Sequence, residues 1–222
     1  MRNIGLSVFM CLALSVCVYG ETISVWSFND AISGTTGGSL EFLIDRGNGL
    51  MNSSFASTSI GNIAGSALNS QDGDPAGQAL RLSGNANNGQ NLTWMVNTTG
   101  FESIDVSFAT QRTSTGFNNN QFQYSFDSGA SWLSFGDVFI PGTSFSVRSY
   151  DLSGIPMLNN NPDAGFRIVF GGASSSSGNN RIDNLVVAGN SIVPTVSTPV
   201  PEPSTITLMV IGIASIFLSR LK

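Results

Sequence analysis

Apolar and polar positions alternate with a period of two over much of the chain. In "NLTWMVN", Leu92, Trp94 and Val96 share a face; "IDVSFAT" sets Ile104, Val106 and Phe108 against Asp105 and Ser107. "QFQYSFD" sets Phe122, Tyr124 and Phe126 against Gln121, Gln123 and Ser125, and "GFRIVFG" aligns Phe166, Ile168 and Phe170 with Arg167 facing out. Such alternation in β-branched and aromatic residues predicts half-buried strands. Runs such as "GNANNGQ", "GFNNNQ" and "GGASSSSGNN" predict the turns between them. No amphipathic helix stands out after residue 21; "SLEFLIDRGNGLM" alone has room for a turn or two of helix. Eight to ten antiparallel strands at this spacing predict an all-β fold, an antiparallel β-sandwich that is jelly-roll-like, each sheet with one wet face.

The two ends break the pattern. Arg2 precedes an apolar run from Ile4 to Val18, and the small residues Val18 and Gly20 allow cleavage before Glu21, as in a secretory signal peptide. The sandwich is therefore expected over residues 21–189, behind a signal peptide at 1–20. Residues 190–199 read as a Pro-, Ser- and Thr-rich linker. The apolar stretch 204–219 follows, with Arg220 and Lys222 behind it. Sixteen residues rise about 24 Å as a helix against a hydrocarbon core of about 30 Å, and the terminal basic pair can snorkel to lengthen the span. A short C-terminal transmembrane helix is expected, its basic end cytoplasmic.

Composition narrows the chemistry. Between Glu21 and Val200 the cations are Arg46, Arg81, Arg112, Arg148, Arg167 and Arg181, with no lysine and about twice as many acids. Nucleic acid, which needs clustered Lys and Arg, is excluded as a partner. The chain has no histidine, which removes Ser-His-Asp and Cys-His triads and His-ligated zinc. Its cysteines, Cys11 and Cys17, both fall in the predicted signal peptide. Only paired carboxylates could catalyse, as in glycoside hydrolysis; Glu102 with Asp105, or Asp127 with Asp137, are the candidate pairs. The glutamates are few and most aspartates sit in turns, so no enzyme is expected.

Local motifs point to structure and ligands. "SFDSGASW", Ser125 to Trp132, matches the Asp-box pattern S-x-D-x-G-x-S-W. Asp127 would accept backbone N–H groups in the turn, Gly129 would take a positive φ, and Trp132 would cover the hairpin. Calcium, held by hard oxygens in loops, is expected as a structural ion at Asp30 in "FND" with Asp183 in "RIDN", since the first and last strands should lie side by side. Asp72 and Asp74 in "QDGDPAG" offer a second site. Sugar binding calls for an exposed aromatic with a polar handle. Trp26, Trp94, Trp132, Tyr124 and Tyr150 are available, and Tyr150, out of phase with Phe145 and Val147, is the expected exposed one. Sequons at Asn52, Asn91 and Asn97 are attributed to chance in an Asn- and Ser-rich chain.

Val200-Pro201-Glu202-Pro203-Ser204, then a short apolar span and terminal basic residues, resembles the PEP-CTERM sorting signal of bacterial exported proteins. The resemblance covers the last 23 or so residues and departs from the usual denser arginine cluster only in ending Arg220-Leu221-Lys222. It implies that Pro201, Glu202 and Pro203 mark the region recognised by an exosortase-type processing enzyme. The domain would be anchored in the membrane until processed, then delivered to the cell surface or extracellular matrix. The stretches "DGDPAGQALRLSG", "VSFATQRTSTGF", "YSFDSGASW" and "RIDNLVV" resemble extracellular jelly-roll domains that carry this tag. Together these readings predict an exported, non-catalytic surface or matrix protein that binds exopolysaccharide; a purely structural matrix component, or a glycoside hydrolase, are the alternatives.

Overall fold

The computed structural model describes residues 20–30, 35–36 and 39–192. Its strands, in chain order, are β1 (Glu21–Trp26), β2 (Thr35–Thr36), β3 (Ser39–Phe42), β4 (Arg46–Gly47), β5 (Leu50–Ser53), β6 (Ile60–Ala64) and β7 (Gln78–Ser83). They continue with β8 (Asn91–Val96), β9 (Phe101–Arg112), β10 (Asn119–Ser125), β11 (Leu133–Ser134), β12 (Ser146–Asp151), β13 (Ala164–Gly171) and β14 (Asn179–Ser191). Every strand pairing recorded among them is antiparallel. One sheet runs β12-β9-β14-β1-β4, with β7 also on β14 and β6 outside β7; the second runs β11-β10-β13-β8-β5-β3-β2. The result is the predicted all-β sandwich, jelly-roll-like, with first and last strands adjacent: Glu21 faces Gly189 and Trp26 faces Leu185.

The alternation read in the sequence is what closes the sandwich. Leu92, Trp94, Phe122, Phe166, Ile168 and Phe170 of the second sheet, and Ile104, Val106 and Phe108 of the first, have no exposed surface. Burying a large apolar side chain is worth about 1.5–3 kcal/mol, so these facing rows supply the main drive to pack sheet on sheet. Aromatic edges fill the gaps, as where Phe55 meets Phe117 and Phe170 at 5.5 Å in T-shaped pairs.

"SLEFLIDRGNGLM" is not helical. It forms β3, β4 and the start of β5. Asp45 between them accepts bonds from the Ser27 amide at 2.6 Å and the Ser27 hydroxyl at 2.9 Å. Gly47 takes φ +81°, and a Cβ there would stand 1.8 Å from the Ile23 carbonyl oxygen, so the bend beside β1 admits only glycine. Helical structure among the described residues is limited to three single 3₁₀ turns. The last strand runs to Ser191, past the expected boundary at Gly189. The signal peptide, most of the linker and the sorting segment with its helix at 204–219 lie outside the described residues, in which no helix is long and apolar enough to cross a membrane.

Candidate functional site

The two sheets differ in what covers their outer faces. On the first sheet, the segment 65–77 is tied down over β14. The Ser66 amide donates to Asp183 at 2.6 Å, and Asn184 Nδ2 donates to the carbonyls of Ser66 (2.7 Å) and Leu68 (2.9 Å). Asn69 Nδ2 donates in turn to the Asn184 carbonyl at 2.7 Å and the Ser107 hydroxyl at 3.0 Å. Arg46 clamps the far end through Asp72 at 2.7 Å and through Asp74. Beneath this cover Asp183, Asn184 and Val186 are buried although they do not belong to the inter-sheet core. Burial pushes the Asp183 carboxyl up to about 7, against the amides of Ser66 and Asn184 that favour its charged form.

The second sheet's outer face is open, and its register builds a polar row across it. Ser134 of β11 pairs with Gln123 of β10, Gln123 with Arg167 of β13, Arg167 with Thr93 of β8, and Thr93 with Asn52 of β5. Side chains in register on neighbouring strands share a face. Four inter-strand spacings of about 4.8 Å make the row about 19 Å long. Gln121, Val169 and Asn91 form a parallel row beside it.

The Asp box sets an aromatic on this face. Ser125 Oγ donates to Asp127 at 2.7 Å and accepts from the Gly129 amide at 2.9 Å; Asp127 accepts from the Ser131 amide at 2.9 Å and its hydroxyl at 2.6 Å. Gly129 has φ +82°. The Ser131 hydroxyl, then that of Ser125 and the Ser131 amide, hold the Asp127 carboxyl down at about 2, so the turn stays charged and closed at ordinary pH. The hairpin carries half-buried Trp132 back over β13. There a Cβ on Gly165 would lie 2.7 Å from Met95 Sδ and 3.3 Å from Trp132 Cη2, so glycine lets both side chains rest on the sheet. The Arg167 guanidinium sits 4.4 Å from the centroid of the Trp132 ring, and its Nε donates to Gln123 Oε1 at 2.6 Å. Burial draws the Arg167 pKa down from its ordinary range, and a guanidinium stays charged regardless.

The residues predicted from sequence fall out as follows. Tyr150, expected to be exposed, is only 6% exposed and belongs to the core. Its strand β12 pairs with β9 so that Tyr150 faces core residue Val106. The ring stacks on Phe122 at 3.9 Å, while Arg148 lies over it at 5.6 Å. Val147, which set the expected phase, is the residue that points to solvent, 45% exposed. Trp132 is the aromatic that the fold presents on the open face. Asp30 engages through its backbone carbonyl, which accepts from Asn62 Nδ2 at 3.0 Å, and Asp183 binds the 65–77 segment. Asp72 and Asp74 are occupied by Arg46. Among the described residues no group of three or more acidic side chains is placed to hold a metal ion.

Of the candidate acid pairs, Asp127 is committed to its hairpin. Asp105 instead faces Asp151 across β9 and β12. Burial, then the neighbouring Asp151 charge, raises the Asp105 pKa, while Ser153 lowers that of Asp151. Both carboxylates are exposed on a sheet face. Pro201, Glu202, Pro203, Arg220 and Lys222 lie outside the described residues. Sequence reasoning marks Gln123 only as opposite the apolar row of its strand, Asn52 only as a sequon, and Thr93 not at all. The available signal was Arg167, the one cation on an outward position of the alternating strands of this sheet.

Comparison with known proteins bears on the tail and the sandwich separately. The PEP-CTERM protein-sorting motif matches residues 199–222. No curated protein sequence matches the chain. The chain is similar in structure to the CBM22-1 xylan-binding domain of Paenibacillus barcinonensis Xyn10C, with 12% identity and a TM-score of 0.46 over 78% of this chain and 97% of that one. It is similar to TmCBM61 in complex with β-1,4-galactotriose, at 8% identity and a TM-score of 0.38 over 63% of this chain and 88% of that one. A family 29 carbohydrate-binding module complexed with mannohexaose matches at 13% identity and a TM-score of 0.43, over 78% of this chain and 95% of its own. The sandwich thus belongs to an exported protein. More particularly, it carries the PEP-CTERM sorting signal that routes it to an exosortase at the membrane.

Proposed function

We propose that this is a non-catalytic surface or matrix protein, released from its anchor after sorting, whose sandwich binds polysaccharide on the outer face of the second sheet. The observation that carries this reading is the polar row Ser134–Gln123–Arg167–Thr93–Asn52 flanked by Trp132. Amides, hydroxyls and a guanidinium match sugar hydroxyls, and the indole supplies rigid apolar area at low entropic cost. The hairpin and the glycine at 165 hold that indole in place before any ligand arrives, which is where affinity is gained. The test is affinity electrophoresis of the full chain, in mild detergent, through gels holding a panel of neutral and acidic polysaccharides. Retardation by at least one polymer, weakened about tenfold or more in Trp132→Ala, is the expected result. No retardation by any polymer would overturn the reading.

A second reading, a matrix component that associates with itself, is favoured by Leu133, Val138, Ile140 and Val147. These are 44%, 48%, 64% and 45% exposed on and between β11 and β12, each an edge strand of its sheet. Bare edges with apolar side chains are templates for pairing. Light scattering that rises with protein concentration would support this reading, and a monomer throughout would remove it.

A further inference from the structure

We infer, resting on the glycan-binding reading above, that the polysaccharide is acidic, and that a sugar carboxylate docks on Arg167. Arg167 stands at the centre of the open face with only neutral side chains as its cross-strand neighbours, Gln123 and Thr93. The two ion pairs among the described residues both belong to Arg46. Arg167 has none there, and its single hydrogen bond, from Nε to Gln123, leaves both Nη atoms without a partner.

Three features make this an anion site rather than a stray surface charge. The guanidinium is fixed on two sides, by the Trp132 ring at 4.4 Å and the Gln123 amide oxygen at 2.6 Å, so little rotamer freedom is left to lose on binding. It is half-buried, which costs a cation hydration that neither indole nor amide fully returns. The chain as a whole has a net charge of −5, with 14 acids for 9 bases, yet no described acid is placed against this arginine. A paired Nη edge with no internal partner fits a carboxylate bidentately. On a row of amides and hydroxyls, that carboxylate is best supplied by a uronic acid within a sugar chain, the other rings lying along Thr93 and Asn52.

The test uses the full chain in mild detergent, with sodium polygalacturonate and sodium alginate, each beside its carboxyl-reduced form, and neutral xylan and mannan as further probes. The inference expects binding to at least one acidic polymer. It also expects loss of that binding when the same polymer is carboxyl-reduced, and weakening by about 10- to 100-fold in Arg167→Gln, the range for a hydrogen-bonded charge. Arg167→Lys should recover part of the affinity at low salt and lose it at high salt, because a point charge replaces the fork. Equal binding to the acidic polymer and its carboxyl-reduced form, or retention of neutral polymers only, would overturn the inference and leave the glycan-binding reading standing. Failure to bind any polymer would overturn both. Should Arg167→Gln not fold, as judged by its thermal melt, the comparison of acidic with carboxyl-reduced polymer on the unaltered protein decides alone.

Discussion

Asp183 has no exposed surface, and no described cation pairs with it. Its carboxyl is pushed from an ordinary value near 3.8 up to about 7 by burial. Between those values the folded protein holds a proton that the unfolded chain has released. The contribution of this carboxyl to stability is therefore fully present below about 4, is lost as pH rises through the window, and is flat above about 7. The gap bounds the effect at about 4 kcal/mol at most. Asp183→Asn stands in for the neutral acid at every pH. Its melting temperature relative to the unaltered protein should accordingly rise between about pH 4 and pH 8. A difference that does not change with pH would mean that the carboxyl titrates normally. The same melts with calcium added test the calcium expectation: a rise at pH 8 in the unaltered protein, absent from Asp183→Asn, would place the ion at this carboxylate, and no rise would remove it. "RIDN" did mark Asp183 as special in the sequence, but as one half of a pair with Asp30. The sequence cannot show that the Asn184 backbone turns to φ +46° at the β-bulge and aims Asp183 at Ser66.

At the level of elements, the Asp-box hairpin links the fold to the candidate site. Asp127 bonds to Ser125 and Ser131 close the turn, and the turn sets Trp132 against Arg167. Asp127→Ala should therefore lower glycan affinity as Trp132→Ala does while leaving the sandwich folded, because the core rows lie on other residues. Tryptophan emission is the direct check: Trp26 and Trp94 are fully buried, so a red shift in Asp127→Ala reports release of Trp132 alone, and an unchanged spectrum would mean that the box does not hold the indole. The box and its tryptophan were visible in the sequence because the motif is local. The central strands β8, β9, β10 and β13 were equally visible, since both of their faces are repeated by register on neighbours. Two elements escape the sequence for reasons of tertiary context. In β12 the apolar Val147 points out and the basic Arg148 caps the core over Phe139 and Tyr150, so hydropathy alone inverts the phase. In "SLEFLIDRGNGLM" the short strands are set by pairing with β1 and β8, partners distant in sequence.

Across the whole molecule, the polar row could not be read from any one stretch, since its five residues come from five strands and meet only through register. The tail is the opposite case, a signal contained in residues 199–222. What would join the two is release: under the proposed function the open face acts outside the cell, so the sorted product should lack both ends. Its composition makes that product easy to recognise. Lys222 is the only lysine, and Cys11 and Cys17 are the only cysteines. A species beginning near Glu21 and ending near Pro201 keeps a single amine, its own N-terminus, and no thiol. Intact mass of material from the medium, with amine- and thiol-directed labelling, is expected to show one amine label and no thiol label on a chain of that mass. Thiol labelling would show that the leader is retained. Two amine labels on a membrane-bound chain that runs to Lys222 would make the tail a permanent anchor, and the open face would then act at the membrane surface rather than in the matrix.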